Sequence, residues 1–224
     1  MPKLLVKNKG IVFALVLGLI LTVAGLTGLI GKIVLPKVLA ATATQTVEVT
    51  ATVEAWLQFT ANPSSVTLLP SLVDSAGTGH IGSSTNVTLN LGTNAVSGWN
   101  ITIEGKYAGL CHSSATGTTC STSSDNLIVS VPTGGTTALS AGTDGYGANA
   151  TPTLSGVTIG TYYNNWNSDT VGAIASSTSQ TLASKSTPNA SVDVAYLKIK
   201  AASEIAQKSG SYYDTITLTA TTVP

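Results

Sequence analysis

The chain has 224 residues, a formal net charge of zero, 43% hydrophobic residues but only 5% aromatic and 9% charged, and its ten basic residues are all lysine. Ordinary soluble proteins carry charge on about a quarter of their residues, so a typical cytosolic enzyme is disfavoured; without arginine or a basic excess there is also no bidentate phosphate clamp and no charge for nucleic-acid binding. With 35 threonines, 25 serines and 22 glycines, the chain is turn-rich and short of helix formers.

At the N-terminus, Lys3, Lys7 and Lys9 precede an apolar run over residues 11–30 that is interrupted only by glycines, Thr22 and Thr27. Its length suits a transmembrane helix crossing roughly 30 Å of hydrocarbon. It also exceeds the roughly 7–15 apolar residues of a cleavable signal. Pro36 then breaks the helix, and Val38-Leu39-Ala40 or Ala41-Thr42-Ala43 offers the small residues a signal peptidase inspects. Two outcomes stay open: cleavage near Ala40 or Ala43, or retention of residues 1–40 as an N-terminal membrane anchor. In both, the lysine-rich end stays inside and residues 41–224 are exported to the cell surface or beyond. The exported part holds five lysines against ten carboxylates, a net charge of −5. Its 184 residues suffice for one sizeable core.

The first element after the signal is the clearest. Val47, Val49, Ala51, Val53, Ala55, Leu57 and Phe59 alternate with Glu48, Thr50, Thr52, Glu54, Trp56 and Gln58, predicting a long strand with one apolar face. Further strands are predicted around Val87, Leu89 and Leu91, and around Trp99, Ile101 and Ile103. Cys111 and Cys120 enclose the loop segment CHSSATGTTC, and an even pair at this spacing in an exported chain predicts a local disulfide. Strand signals resume at Leu127, Val129 and Val131, at Val157 and Ile159, at residues 192–199, and at Ile216, Leu218 and Ala220. The stretches DSAGTGH, TNAVSG, PTGG and SAGTDGYGANA read as turns. Residues 113–124 and 172–191, rich in Ser, Thr and Ala, read as surface loops, and residues 201–208 carry a short helical tint. No segment is long enough for crossover helices, which points to an all-β, antiparallel sandwich preceded by the N-terminal hydrophobic helix.

No constellation for catalysis emerges. His80 and His112 are flanked by small turn residues, there is no G-x-S-x-G elbow, and the carboxylates are scattered singly. A non-enzymatic role without a cofactor is expected. Asn165, Asn167 and Asp169 alternate like the first ligands of a calcium loop, although the glycine and closing glutamate of such a loop are missing; an Asx-rich turn is the alternative. Tyr162, Tyr163 and Trp166 in the same segment offer either a platform for a sugar ring or a hydrophobic anchor over one end of the sandwich. The sequons at Asn86, Asn100, Asn149 and Asn189 permit glycosylation in a host that performs it.

Residues 210–219, GSYYDTITLT, resemble the last strand of secreted β-sandwich surface proteins, with the motif G-x-Y-x-D-T-[IV]-T-[VL] of spore-coat-U-like and pilin-like subunits and, more loosely, of WxL-type cell-wall proteins. Residues 46–53, TVEVTATV, are similar to the first mature strand of that group, and residues 93–105, TNAVSGWNITIEG, to its central strand. The early cysteine of pilin-like subunits is absent, and no WxL tripeptide anchor is visible. The resemblance implies an Ig-like or pilin-like sandwich with a structural or adhesive role.

The apolar row of residues 44–59 points the same way, because a freed strand can complete another subunit's open sheet and build a head-to-tail filament. Pairing within its own subunit is the alternative. The expected partners are therefore copies of this chain or other surface components, with the membrane engaged through residues 1–40. The other function in view is a membrane-anchored or secreted carbohydrate-binding module using Tyr162, Tyr163 and Trp166.

Overall fold

The computed structural model describes Gln45, residues 48–112, Cys120 and residues 126–223. The export segment, its cleavage sites and most of the loop between the cysteines lie outside the described residues. The chain divides into two units, Met1–Ala51 and Thr52–Pro224. In the first, the described residues belong to no strand and are exposed.

The second unit is all-β. Among the described residues its strands are β1 (Leu57–Asn62), β2 (Ile81–Ser83), β3 (Val87–Thr93), β4 (Trp99–Gly105), β5 (Gly109–His112), β6 (Leu127–Val129) and β7 (Thr136–Ala138). They continue with β8 (Gly145–Pro152), β9 (Thr158–Ile159), β10 (Thr170–Ala173), β11 (Gln180–Lys185), β12 (Asn189–Ala202), β13 (Tyr212–Tyr213) and β14 (Ile216–Thr222). The largest sheet runs β1-β3-β12-β8-β10-β7, with β2 also on β12; a second runs β14-β4-β11-β9, and a small third runs β13-β5-β6. Every pairing between these strands is antiparallel. Leu89 and Leu91 of β3, Ala148 of β8 and Leu197 of β12 share one buried cluster with Ile101 and Ile103 of β4 and Leu182 of β11. The two main sheets thus cover a common core, as in a β-sandwich.

The predicted strand over residues 47–59 is realised only from Leu57 and then runs on to Asn62. The reason lies in its partner: β1 pairs with β3 in the register Leu57↔Thr93, and past Thr93 the chain turns toward β4, so the ladder with β3 starts at Leu57. The helical tint of residues 201–208 is also corrected. Ala201 and Ala202 end β12, and a turn closed by Gln207 N–H donating to the Glu204 carbonyl follows.

Two central strands fall where turns and loops were expected. β8 lies in the stretch read as a turn, yet it sits between β12 and β10, and six of its eight residues are buried. Small side chains allow this, because a Cβ at Gly147 would collide with the Gly172 carbonyl of the neighbouring strand. β11 lies in the Ser/Thr/Ala stretch, lies between β4 and β9, and buries Leu182 and Ala183.

Candidate functional site

Ahead of β1 the backbone is hydrogen-bonded at Glu54 and Trp56. Trp56 N–H donates to Asn94 Oδ1 at 2.8 Å, Asn94 Nδ2 donates to the Glu54 carbonyl at 2.8 Å, and Thr93 Oγ1 donates to the Trp56 carbonyl at 2.6 Å. The Trp56 ring crosses β3 where Gly92 has no side chain to obstruct it. Residues 48–56 belong to no strand, and Val49 and Val53 are 85% and 84% exposed. Of the six residues singled out for strand donation, Leu57 enters β1, Val49, Ala51, Val53 and Ala55 are exposed, and Val47 lies outside the described residues.

Both β1 and β14 are edge strands, one of each main sheet. Between them opens a cleft of about 320 Å³ whose apolar wall includes Val66, Val87, Leu197, Ile199, Ile216 and Leu218. On β14 the apolar Ile216, Leu218 and Ala220 are half-buried and alternate with exposed Thr217, Thr219 and Thr221, so the strand lacks the full cover that β4 receives. Asp214 sits at the rim of this cleft. Its Oδ1 accepts from Thr215 N–H at 2.7 Å and Tyr107 N–H at 3.1 Å, and its Oδ2 from the Tyr146 hydroxyl at 3.3 Å. Burial raises its carboxyl above the ordinary 3.8, against these donors, which pull it down. Burial, and then the charge of Asp214, holds the Tyr146 phenol well above its usual 10.0.

The chain matches no protein-family model, no curated protein and no solved structure.

The three aromatics of residues 162–166 do not form one platform. Tyr163 is fully buried, its hydroxyl donates to the Ala173 carbonyl at 2.7 Å, and burial raises its phenol pKa. Of its two expected roles the ligand surface is thereby corrected for this residue, and the anchor remains: Tyr163 belongs to the core. Tyr162 lines a separate open cleft of about 530 Å³ with Thr158, Thr161, Gln180, Thr181 and Ser184. Trp166 lies against Tyr196 with ring centroids 6.4 Å apart, and Lys198 Nζ stands 4.3 Å over its ring.

The calcium loop is not what holds residues 165–169 in place. Asp169 Oδ1 is ion-paired with Lys200 Nζ at 2.9 Å, so a cation at this carboxylate would have to displace an ammonium. The Asn165 carbonyl accepts from Asn149 Nδ2 at 3.1 Å. Among the described residues, no group of three or more His, Cys, Asp or Glu side chains is placed to hold a metal. Cys111 and Cys120 form the expected disulfide, with Cα atoms 5.6 Å apart. His80 contacts Asp74 Oδ2 at 3.2 Å in an exposed turn.

Sequence reasoning missed the half-covered edge strand β14 and the cleft beside it. Ile216, Leu218 and Ala220 were legible as one face of a strand, but which strands end a sheet is a property of topology. Lys200 and Asn149 were missed for a related reason, since each looks like a solvated residue until β8 and β12 are seen to be neighbours.

Proposed function

We propose that the chain is an exported, non-enzymatic cell-surface subunit with a pilin-like sandwich, structural or adhesive in role, which joins its neighbour by donating the strand of residues 44–59. The observation that carries this reading is the mismatch within one molecule: an alternating apolar row in which Val49 and Val53 stand in solvent, and an apolar cleft open between the edge strands β1 and β14. A strand laid along β14 gains a ladder of backbone hydrogen bonds at an unpaired edge and puts every second side chain over Ile216, Leu218 and Ala220. Donor and acceptor are different surfaces, so the contact is heterologous and propagates head to tail. The disulfide is in keeping with an oxidising compartment, as export by residues 1–40 requires.

The full chain, secreted by an exporting host, is expected to form sedimenting species whose size grows with concentration. Val53→Asp blocks the donor and Leu218→Asp the acceptor, so each variant alone stays monomeric while a mixture of the two yields dimers. A wild-type chain that sediments as a monomer at every concentration overturns the reading.

One observation favours a second activity: the hydroxyl-rich cleft beside Tyr162 has the make-up of a site for a neutral saccharide, with an aromatic face and several hydrogen-bonding groups. Retention on polysaccharide columns that is lost in Tyr162→Ala supports it, and no retention on any of them removes it.

A further inference from the structure

On the outer face of the largest sheet, Lys198 of β12 pairs with Asn149 of β8 and Lys200 pairs with Gly147. Lys200 and Asn149 are therefore diagonal neighbours on one face. Both are covered: Asn149 is 0% exposed and Lys200 8%, and no other lysine and no carboxylate is buried among the described residues. Lys200 Nζ donates to the Ser168 carbonyl at 2.8 Å and to Asp169 Oδ1 at 2.9 Å. Asn149 Nδ2 donates to that same Ser168 carbonyl at 3.2 Å, and also to the carbonyls of Asn165 and Thr170 at 3.1 and 3.5 Å. Because Nζ and Nδ2 lie 2.8 and 3.2 Å from one shared oxygen, they are at most 6.0 Å apart. The Asn149 carbonyl oxygen, Oδ1, is buried and has no hydrogen-bond partner.

This cluster is costly as an ordinary anchor. A buried ammonium gives up hydration that one half-exposed carboxylate only partly replaces. An unmade hydrogen bond at a buried amide oxygen costs about 1–3 kcal/mol. Chemically, however, it sets an amine, a carboxamide carbon and a carboxylate together in a covered site. We propose that Lys200 and Asn149 are joined by an isopeptide bond that forms after folding. Lys200 Nζ passes a proton to the Asp169 carboxylate and turns from the Ser168 carbonyl onto Asn149 Cγ. The Nζ–Cγ bond forms, a second proton passes from Nζ to Nδ2, the Cγ–Nδ2 bond breaks, and Nδ2 departs as ammonia. Ammonia takes the proton back from Asp169 and leaves as ammonium. Overall, one alkylammonium and one primary amide become one secondary amide and one ammonium, with no oxidant or outside reagent. Fixed proximity supplies the driving advantage, since groups held in one site react as if at very high concentration. The product ties β8 to β12, two neighbouring strands at the heart of the largest sheet, and replaces a buried charge with a neutral amide.

The link is read directly by mass spectrometry of the native, folded wild-type chain. The expected result is a proteolytic fragment joining the peptides that carry residues 149 and 200, lighter than their sum by one ammonia. Asp169→Ala is expected to slow the linkage by about 100-fold or more, as loss of a positioned acid/base group does. Lys200→Arg, which keeps the charge and removes the nucleophile, abolishes it. The measurement on the wild type stands even where a variant fails to fold. Separate, unmodified peptides from folded wild-type protein overturn the proposal, as does Asn149 recovered only as its deamidated form.

Discussion

In β4, Trp99, Ile101 and Ile103 alternate with Asn100, Thr102 and Glu104, and all three apolar side chains are fully buried under the opposite sheet. In residues 47–59 the same period-two alternation runs longer, yet Val49 and Val53 stand almost wholly in solvent. The difference is in neighbours: β4 has β14 on one side and β11 on the other, whereas residues 52–56 pair with no strand. Periodicity therefore reports that a segment has an apolar face and is silent on what that face meets. Burying such a face is what converts pattern into stability, at about 25 cal/mol per Å² of apolar area. An unburied one gains none of it.

The sharpest test of the buried side of this comparison is Trp99→Ala. It deletes the largest fully buried side chain and the hydrogen bond from Nε1 to Asn189 Oδ1 at 2.6 Å. Chemical denaturation is expected to show a loss of about 3–5 kcal/mol, the range for large aromatic truncations in cores. An effect as small as that of a surface substitution would mean that β4 is not held as the packing indicates.

Gly98 fixes the entry into β4. Its φ of 80° is in the left-handed region, and a Cβ there would collide with the Lys185 carbonyl of β11. Gly98→Ala therefore combines a backbone penalty of about 1–2 kcal/mol with a displaced strand register. A loss of about 2 kcal/mol or more in the unfolding free energy is expected, smaller than that of Trp99→Ala. A neutral result would show that the turn can re-form without the left-handed glycine.

These two positions also show how far the fold was legible. β3, β4, β12 and β14 announce themselves by alternating apolar residues, and the structure puts strands there. β8 and β11 do not, because strands buried on crowded sheets are built here from Gly, Ala, Ser and Asn, the residues that mark turns elsewhere. Asn149 is the clearest instance: its polarity suits a loop, but its amide is consumed by three carbonyls of residues 165–170. On the site, the alternating row of residues 47–59 was visible as a pattern, while the cleft between β1 and β14 depends on sheet order and had no local signal. Of the two roles open to Tyr163, platform or anchor, burial decides for the anchor; the sequence shows an aromatic cluster without showing which ring turns inward.

Asp214 links the partly covered β14 to the core, and its pH response has a definite sign. Its carboxyl titrates above the ordinary 3.8 in the folded chain, so the folded state takes up its proton before the unfolded state does. The stabilisation from this group is complete below the ordinary Asp value and is lost as the pH rises through the raised folded one. Acidification from neutrality toward that range is thus expected to strengthen the wild type relative to Asp214→Asn, which has no carboxyl to titrate. Denaturation midpoints of the two proteins measured side by side across this window decide it; a difference independent of pH would contradict the burial of Asp214.

The smallest expected effect is also the most informative for the exposed row. Val49→Ser and Val53→Ser remove apolar surface that the single chain leaves in water, so the unfolding free energy of dilute monomer should change by no more than about 0.5 kcal/mol. The same double variant should lose concentration-dependent assembly, because its side chains can no longer fill a neighbour's cleft. If monomer stability falls by as much as in Trp99→Ala, the row is buried within its own chain and the contrast with β4 disappears. With stability and assembly both unchanged, the contrast survives but the row has no part in joining subunits, and the cleft between β1 and β14 must be covered by something other than this strand.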